Sequence, residues 1–432
     1  MNIGIVGAGV SGLVSAYELA KNKCKVTVFE TLSEPGGLTG TIKIGNEHIE
    51  KYYHHIFISD VEVTNLIEEL GLASKLKWVS PKSGIFINNK LYPLSTPIDL
   101  LKFKEISLTG RLLLGISILR ARFIKNWRRL ENINAKDWVI KNSGKSVYDK
   151  LWGPLLNSKF DESADNVSSV WLWNKFKLRG SSRGDSSGRE VFGYLEGSFM
   201  VIYQKLIEEI KRMGGEIHYS STVRKIVPKK DKSLDVITDN NTQNFDRVIT
   251  TCAPEIFNSF NSALPSDYSL KLNKIKYKAN ICAIFELSRK LSNYYWITVA
   301  QKDNPFVLIA EHTNLVSPEP YGSHLIYLSR YIDKNNELYS LPDKEIFEIF
   351  LKSLIKMFPD LKREEIKDYH IHKADFAQPV VVKNYSTIKP DIKTPVDNLY
   401  MINMSQIYPQ DRGQNYAIKL GREAAGIINK SN

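Results

Sequence analysis

The sequence predicts an α/β fold: a parallel sheet wound with helices, interrupted by a second region in which helices and a mainly antiparallel sheet are segregated. Three observations predict it. A short apolar run at residues 3–6 is followed by Gly7, Gly9 and Gly12, a helical pattern and a second apolar run at 25–29. Residues 276–331 carry several runs of period-two alternation rich in β-branched and aromatic side chains, the pattern of an antiparallel sheet. The 432 residues exceed one ordinary core, so two connected domains or one domain with large insertions are expected.

Composition narrows the class. Hydrophobic residues are 43% and charged residues 25%, a globular balance. Cys24, Cys252 and Cys282 stand apart without paired spacing, which fits a reducing cytoplasm and argues against a disulfide framework or a metal site. Cys24 and Cys282 lie in apolar, strand-like contexts and read as small core residues. The N-terminus runs straight into a strand, and no secretion signal is expected. No window reaches the roughly 18 apolar residues of a spanning helix. A net charge of +12 draws phosphates, carboxylates, acidic membranes or nucleic acid without choosing among them. Without zinc-finger spacing or an RNA-binding signature, nucleic acid is set aside.

Residues 3–6 (IGIV) form a buried strand. The turn G-A-G-V-S-G (Gly7, Val10 and Ser11 among its members) then opens a helix over 11–21. Gly7 permits the tight turn, Gly9 leaves room for a diphosphate at the backbone, and Gly12 lets the helix lie on the sheet. The free N–H groups at the helix start favour that diphosphate, the dipole alone contributing roughly 0.3–1 kcal/mol. The second strand, 25–29, ends at Glu30, 18 residues after Gly12, where a carboxylate can hold ribose hydroxyls. The stretch is therefore a dinucleotide site.

After Glu30 the chain reads T-L-S-E-P-G-G-L, with Gly36 and Gly37 able to lie against a cofactor. Here it resembles the two-dinucleotide-binding-domain flavoproteins: amine oxidases, protoporphyrinogen oxidases, carotenoid desaturases and UDP-galactopyranose mutases. The resemblance implies FAD, held by a Rossmann-like domain into which an α+β substrate domain with a helical cap is inserted. On this reading residues 1–75, 191–260 and 381–432 build the FAD domain, and 76–190 and 261–380 the substrate domain. Thr31 and Leu38 join the cofactor set. Leu38 stands where many relatives carry arginine, so it provides no phosphate clamp.

The segment "KYYHHIFISD" is similar to the mutase segment that passes near the flavin ring. His54 and His55 are adjacent and face opposite ways in an extended chain, so at most one is expected at the flavin. A helix follows at 61–71 and a hairpin over 76–94 with its turn at Asn88-Asn89. Residues 98–130 are helical and basic, either a solvated cap helix or a surface that leans on an anionic membrane or a lipid-linked substrate. Over 145–180, "WGPLLNSKF" resembles the cap of protoporphyrinogen-oxidase-like proteins, with Trp152, Trp171 and Trp173 packing its core. Residues 180–190 read as a polar loop. The resemblance places Val223 beside the adenine. "AEHTN" is a polar cluster ending an apolar strand, which alone fits a strand end with turn residues; in the flavoproteins that the chain resembles, this sheet floors the active site, which implies Glu311, His312 and Asn314 as candidates for the substrate face. A further helix spans 343–357. The last sixty residues resemble the segment that holds the flavin: the strand "NLYMINM", a loop, then a helix. This implies close approach at Gly413, with amides at Gln414 and Asn415 facing flavin O2 and Tyr416 next to them. Relatives often show Gly-Asp near that strand end, whereas this chain has Asn403-Met404.

The reading that follows is an FAD-dependent oxidoreductase that moves a hydride between a small anionic substrate and flavin N5, with His54, His55, Glu311 and His312 as catalytic candidates. The alternative is a flavin-dependent nucleotide-sugar mutase, an isomerase. A flavin-binding protein without catalysis is the third class. Expected partners are a small molecule, with phosphorylated compounds and nucleotide- or lipid-linked sugars in view, and an anionic membrane through 98–130. The expected location is cytoplasmic, including its membrane face.

Overall fold

The computed structural model describes residues 1–181, 189–261, 263–301 and 303–430, so most of the loop read at 180–190 lies outside the described residues. The chain opens with β1 (Asn2–Val6), α1 (Val10–Lys21) and β2 (Lys25–Phe29). It departs through α2 (Val61–Glu69), the strands β3 (Ser83–Ile87) and β4 (Lys90–Pro93), and the helices α3 (Leu108–Ala121), α4 (Gly153–Phe160) and α5 (Ser169–Ser181). It returns for β5 (Glu216–His218) and β6 (Arg247–Thr250). It departs again through β7 (Tyr277–Leu287), β8 (Trp296–Val299), β9 (Leu308–Glu311), β10 (His324–Ile332) and β11 (Ile366–Pro379), and closes with β12 (Leu399–Met401) and α6 (Gln414–Lys430).

The first sheet runs β5-β2-β1-β6-β12, parallel throughout. β1 is central: Ile3 and Ile5 are fully buried under helices on one face, while Val6 on the other packs against a three-stranded antiparallel sheet within residues 223–245. α1 and α6 pack closely where glycines remove side chains: a Cβ on Gly421 would lie 2.7 Å from the Ser11 carbonyl oxygen. A Cβ on Gly12 would lie 2.0 Å from the Gly7 carbonyl oxygen, so the turn itself demands glycine there.

The second sheet runs β11-β7-β10-β9-β8-β3-β4. Every pairing is antiparallel except β8 with β3. The β3–β4 turn uses Asn88 and Asn89 at φ of 50° and 58°, the conformation a two-residue hairpin of this twist needs. The expected hairpin over 76–94 is otherwise corrected: Leu76–Val79 pairs with Phe192–Leu195 in a separate three-stranded sheet. Alternation along one strand identifies its buried face but not the neighbour that takes its hydrogen bonds. The basic region is three helical pieces, Pro97–Lys102, α3 and Trp127–Leu130, rather than one helix. Trp171 and Trp173 are buried in the cap core and Trp152 packs against it.

Where the two sheets meet, Glu50 is fully buried and accepts hydrogen bonds from the Tyr194 hydroxyl (2.6 Å) and the Phe199 N–H (2.7 Å). Burial pushes its pKa from 4.5 to about 7 despite those donors. The folded state therefore binds this proton better than the unfolded state. Its contribution to stability is full below about 4.5 and is lost as pH rises to about 7. Glu50→Gln should flatten the Tm profile across that window, the group accounting for roughly 3 kcal/mol at most. Superimposable Tm–pH profiles for the two proteins would assign the titration elsewhere.

Candidate active site

Two joined cavities hold the chemistry-bearing residues. The first, of about 450 Å³, runs along the carboxyl ends of β1, β2 and β6. Gly7, at φ of 106°, makes the turn out of β1. The first helical bond of α1 is Leu13 N–H to the Gly9 carbonyl, so the N–H groups of Val10, Ser11 and Gly12 precede it, and Gly9, Val10 and Ser11 line the cleft. A Cβ on Gly9 would meet nothing within 4 Å, so the space before this backbone is open. Gly36 and Gly37, at φ of 117° and 57°, bring their loop to that space. Thr31 and Val223 complete the wall near β2. Glu30 is buried, and its carboxylate already accepts the Ala8 N–H (2.7 Å) and the Leu32 N–H (2.9 Å). A carboxylate has lone pairs left for ribose after two such bonds.

At the other end, α6 points its N-terminus into the cleft, its first helical bond running from Ala417 N–H to the Gly413 carbonyl. Two orphaned polar side chains sit nearby. Both the Oε1 and Nε2 of Gln414 and the Nδ2 of Asn403 are buried without a hydrogen-bond partner, and both residues line the cleft. A buried polar atom without a partner costs about 1–3 kcal/mol. A polar ligand in this cleft would satisfy them, as an FAD nucleotide and flavin edge would. Asn415 lines the neighbouring cavity, and its Oδ1 accepts the Glu62 and Val63 N–H groups and caps α2.

The second cavity, of about 300 Å³, shares Leu38, His54, Arg412, Gly413 and Gln414 with the first. At one end, α4 and α5 each deliver a lysine. Lys175 pairs with Asp411 at 2.5 Å, and Asp411 also accepts the Trp171 indole N–H at 3.1 Å. Burial opposes ionisation of Asp411, but Lys175, Lys159 and Arg412 hold its pKa well below the ordinary carboxylate range. Arg412 donates to Gln378 Oε1 (3.0 Å) and to the Tyr331 hydroxyl. Lys159 has no carboxylate in ion-pair reach among the described residues; it lies 4.8 Å from the Tyr331 ring and 4.9 Å from the Trp171 ring. Burial, then Lys175 and Arg412, drive its pKa far below the ordinary lysine value. Asp60 and Glu190 line other parts of the wall. Asp60 accepts the Phe57 N–H, and burial pushes its pKa up to about 6.

Of the expected catalytic residues, two reach this cavity and two do not. His54 lines both cavities, and its Nδ1 donates to the Tyr52 carbonyl at 2.6 Å, leaving the Nε2 lone pair free. Burial lowers its pKa to about 4. His55 lines only the second cavity, held by Tyr295 at 2.9 Å and Phe192 at 4.4 Å between ring centroids. Glu311 and His312 are corrected. Glu311 collects the Leu291 and Ser292 N–H groups and the Ser292 hydroxyl, which closes a turn. His312 packs among Tyr194, Tyr321 and Tyr327 in the core. Asn314 donates to the Ser292 and Tyr294 carbonyls of the same turn. Tyr416 lines the second cavity. Lys159, Lys175, Asp411 and Arg412 were missed as a site, although Lys159 lies in the "NSKF" of the cap segment and Asp411 and Arg412 in the loop before the last helix. Among the described residues, Glu286, Asp368 and His370 could gather a metal ion on the outer sheet, and nothing further points to one there.

The profile of the "Flavin containing amine oxidoreductase" family matches residues 10–429. Coproporphyrinogen III oxidase of Staphylococcus aureus (strain NCTC 8325 / PS 47) is 24% identical over 59% of this chain, a match spanning 61% of that enzyme. A solved structure from Exiguobacterium sp. 255-15, assigned as a protoporphyrinogen oxidase, superposes with a TM-score of 0.80 at 16% identity, covering 100% of this chain and 99% of that one. Reduced UDP-galactopyranose mutase superposes at 0.76 and 14% identity, covering 100% and 96%. At such identities the two structures speak for the fold alone.

Proposed function

The chain belongs to the family of flavin-containing amine oxidoreductases, and from that premise we propose that it moves a hydride between a small anionic organic substrate and FAD. The observation that carries the substrate class is the cluster of Lys159, Lys175 and Arg412 around the single carboxylate of Asp411 at one end of the second cavity. FAD supplies the redox chemistry when bound, taking up a hydride at N5. Gly7, Gly9, Gly12, Glu30, Gly36, Gly37 and Val223 would hold its nucleotide half, and Asn403, Gly413 and Gln414 the half nearer the flavin.

The remaining work falls to the chain. Lys159 and Arg412 bind the anion, and Asp411 holds Lys175 in place through their ion pair. The hydroxyls of Tyr53 and Tyr331 lie 3.2 Å apart and fix the Arg412 guanidinium. The neutral His54 Nε2 accepts a hydrogen bond from substrate; with a pKa of about 4 it orients rather than removes a proton at neutral pH. Tyr53, Trp296 and Phe192 supply an apolar wall that excludes water.

The test is anaerobic mixing of the holoprotein with compounds that carry an oxidisable C–H beside a carboxylate or phosphate, and with their esters. Bleaching of the flavin band by the anions, and much slower bleaching by the esters, is expected. Equal rates for acids and esters would remove the anionic class. If no compound bleaches the flavin while prereduced protein interconverts the pyranose and furanose forms of a nucleotide sugar, the protein is an isomerase.

A further inference from the structure

We propose that the α3 face docks on the surface of an anionic lipid bilayer. α3 is turned opposite to an ordinary surface helix. Gly110, Leu114, Ser117 and Ala121 face the protein, while Leu108, Leu112, Ile116, Leu119 and Phe123 face outward, 43–79% exposed. Their spacing of four, four, three and four residues makes one continuous apolar stripe. Ile98 and Leu101, 60% and 46% exposed, extend the patch on the preceding helix.

Charge identifies the occupant. Residues 98–130 hold eight lysines and arginines against Asp99 and Glu105. Both carboxylates are occupied within the chain: Asp99 accepts the Ser95 and Thr96 N–H groups, and Glu105 accepts from Asn88 and Tyr92. Arg120, Arg122, Lys125, Arg128 and Arg129 are exposed just past the apolar stripe, and Lys102 and Lys104 before it. A second copy of this chain would bring like charges together on such a patch. A bilayer rich in anionic headgroups offers both an apolar layer and the opposite sign. With 14 residues, α3 is about 21 Å long, short of the roughly 30 Å hydrocarbon core, so it lies in the interface and does not cross it. No helix among the described residues is long and apolar enough to cross a membrane. The inner face of α3 rests on the wall of the cavity region. α3 packs on α5, which carries Lys175, and the Trp173 indole donates to the Ala121 carbonyl at 2.8 Å.

Vesicle cosedimentation of the holoprotein tests this without reference to its reaction. Binding is expected to vesicles of phosphatidylcholine containing one third phosphatidylglycerol, weakening with added salt, and at least about tenfold less to phosphatidylcholine alone. The triple variant Leu112→Ser, Ile116→Ser, Leu119→Ser and the triple variant Arg120→Gln, Arg122→Gln, Lys125→Gln should each weaken binding about tenfold or more with unchanged Tm, since these side chains are exposed. Vesicle binding unaltered by both variants would overturn the proposal. So would absence of vesicle binding, whether the wild type sediments as a monomer or as a dimer that the serine variant dissociates.

Discussion

Gly9→Leu should give a folded, stable and colourless protein. Gly9 lies at φ of −73° and ψ of 174°, a conformation open to any L-residue. Its Cβ would meet no atom within 4 Å, so the substituted side chain starts into open space. The volume it enters is the space the proposed diphosphate needs, between the α1 N-terminus and the Gly36–Gly37 loop. FAD affinity should fall at least about 100-fold, or ~2.7 kcal/mol. Gly12→Ala is the contrast: its Cβ would overlap the Gly7 carbonyl at 2.0 Å, so the fold itself should suffer. The readouts are flavin per protein after reconstitution and Tm of the apoproteins, compared apo with apo because bound cofactor raises Tm by itself. A Gly9→Leu protein that stays yellow at full stoichiometry would move the diphosphate away from this turn.

That contrast shows what kind of information sequence carries. The glycine turn is local: every constraint on Gly7, Gly9 and Gly12 arises within one strand–turn–helix, so spacing alone exposes it. Glu30, Gly36 and Gly37 follow on the same stretch and reach the same cleft in the fold. The helix at 343–357 was equally legible, because its apolar periodicity is intact from Asp343 to Met357. The substrate cavity is nonlocal. Lys159, Lys175 and Arg412 come from α4, α5 and the loop before α6, and no periodicity links a lysine near 160 to an arginine near 410. Glu311 failed for a related reason. A polar group at a strand end reads alike whether it faces a ligand or a turn, and here three donors from residues 291 and 292 claim it. The outward stripe of α3 inverted the expected rule as well. Apart from Leu114, small residues face the core, a side that a hydrophobicity pattern assigns to the large ones.

Lys159→Met should raise stability and weaken binding of anionic substrate together. The amine is removed from bulk water and lacks an ion-pair partner among the described residues, so its charge is expensive in the folded state. Its folded pKa is depressed below the unfolded value of about 10.4. Between those two values the unfolded chain binds the extra proton, so wild-type stability rises with pH there, and below the depressed value the penalty is constant. Methionine has nearly the same length and no charge. The variant should therefore exceed the wild type in stability at low pH, with the gap closing as pH climbs into the ordinary lysine range. The effect on binding has the opposite sign. An anion bound against Lys159 would supply the missing partner, and loss of that charged hydrogen bond should raise KM roughly 10- to 100-fold, or about 1.5–3 kcal/mol. An ester of the same compound makes no such bond and should be handled alike by both proteins, while Lys159→Arg should recover part of the discrimination. A lysine that only packs against Trp171 and Tyr331 would leave the acid-to-ester ratio unmoved in Lys159→Met, and that result would separate this side chain from substrate recognition.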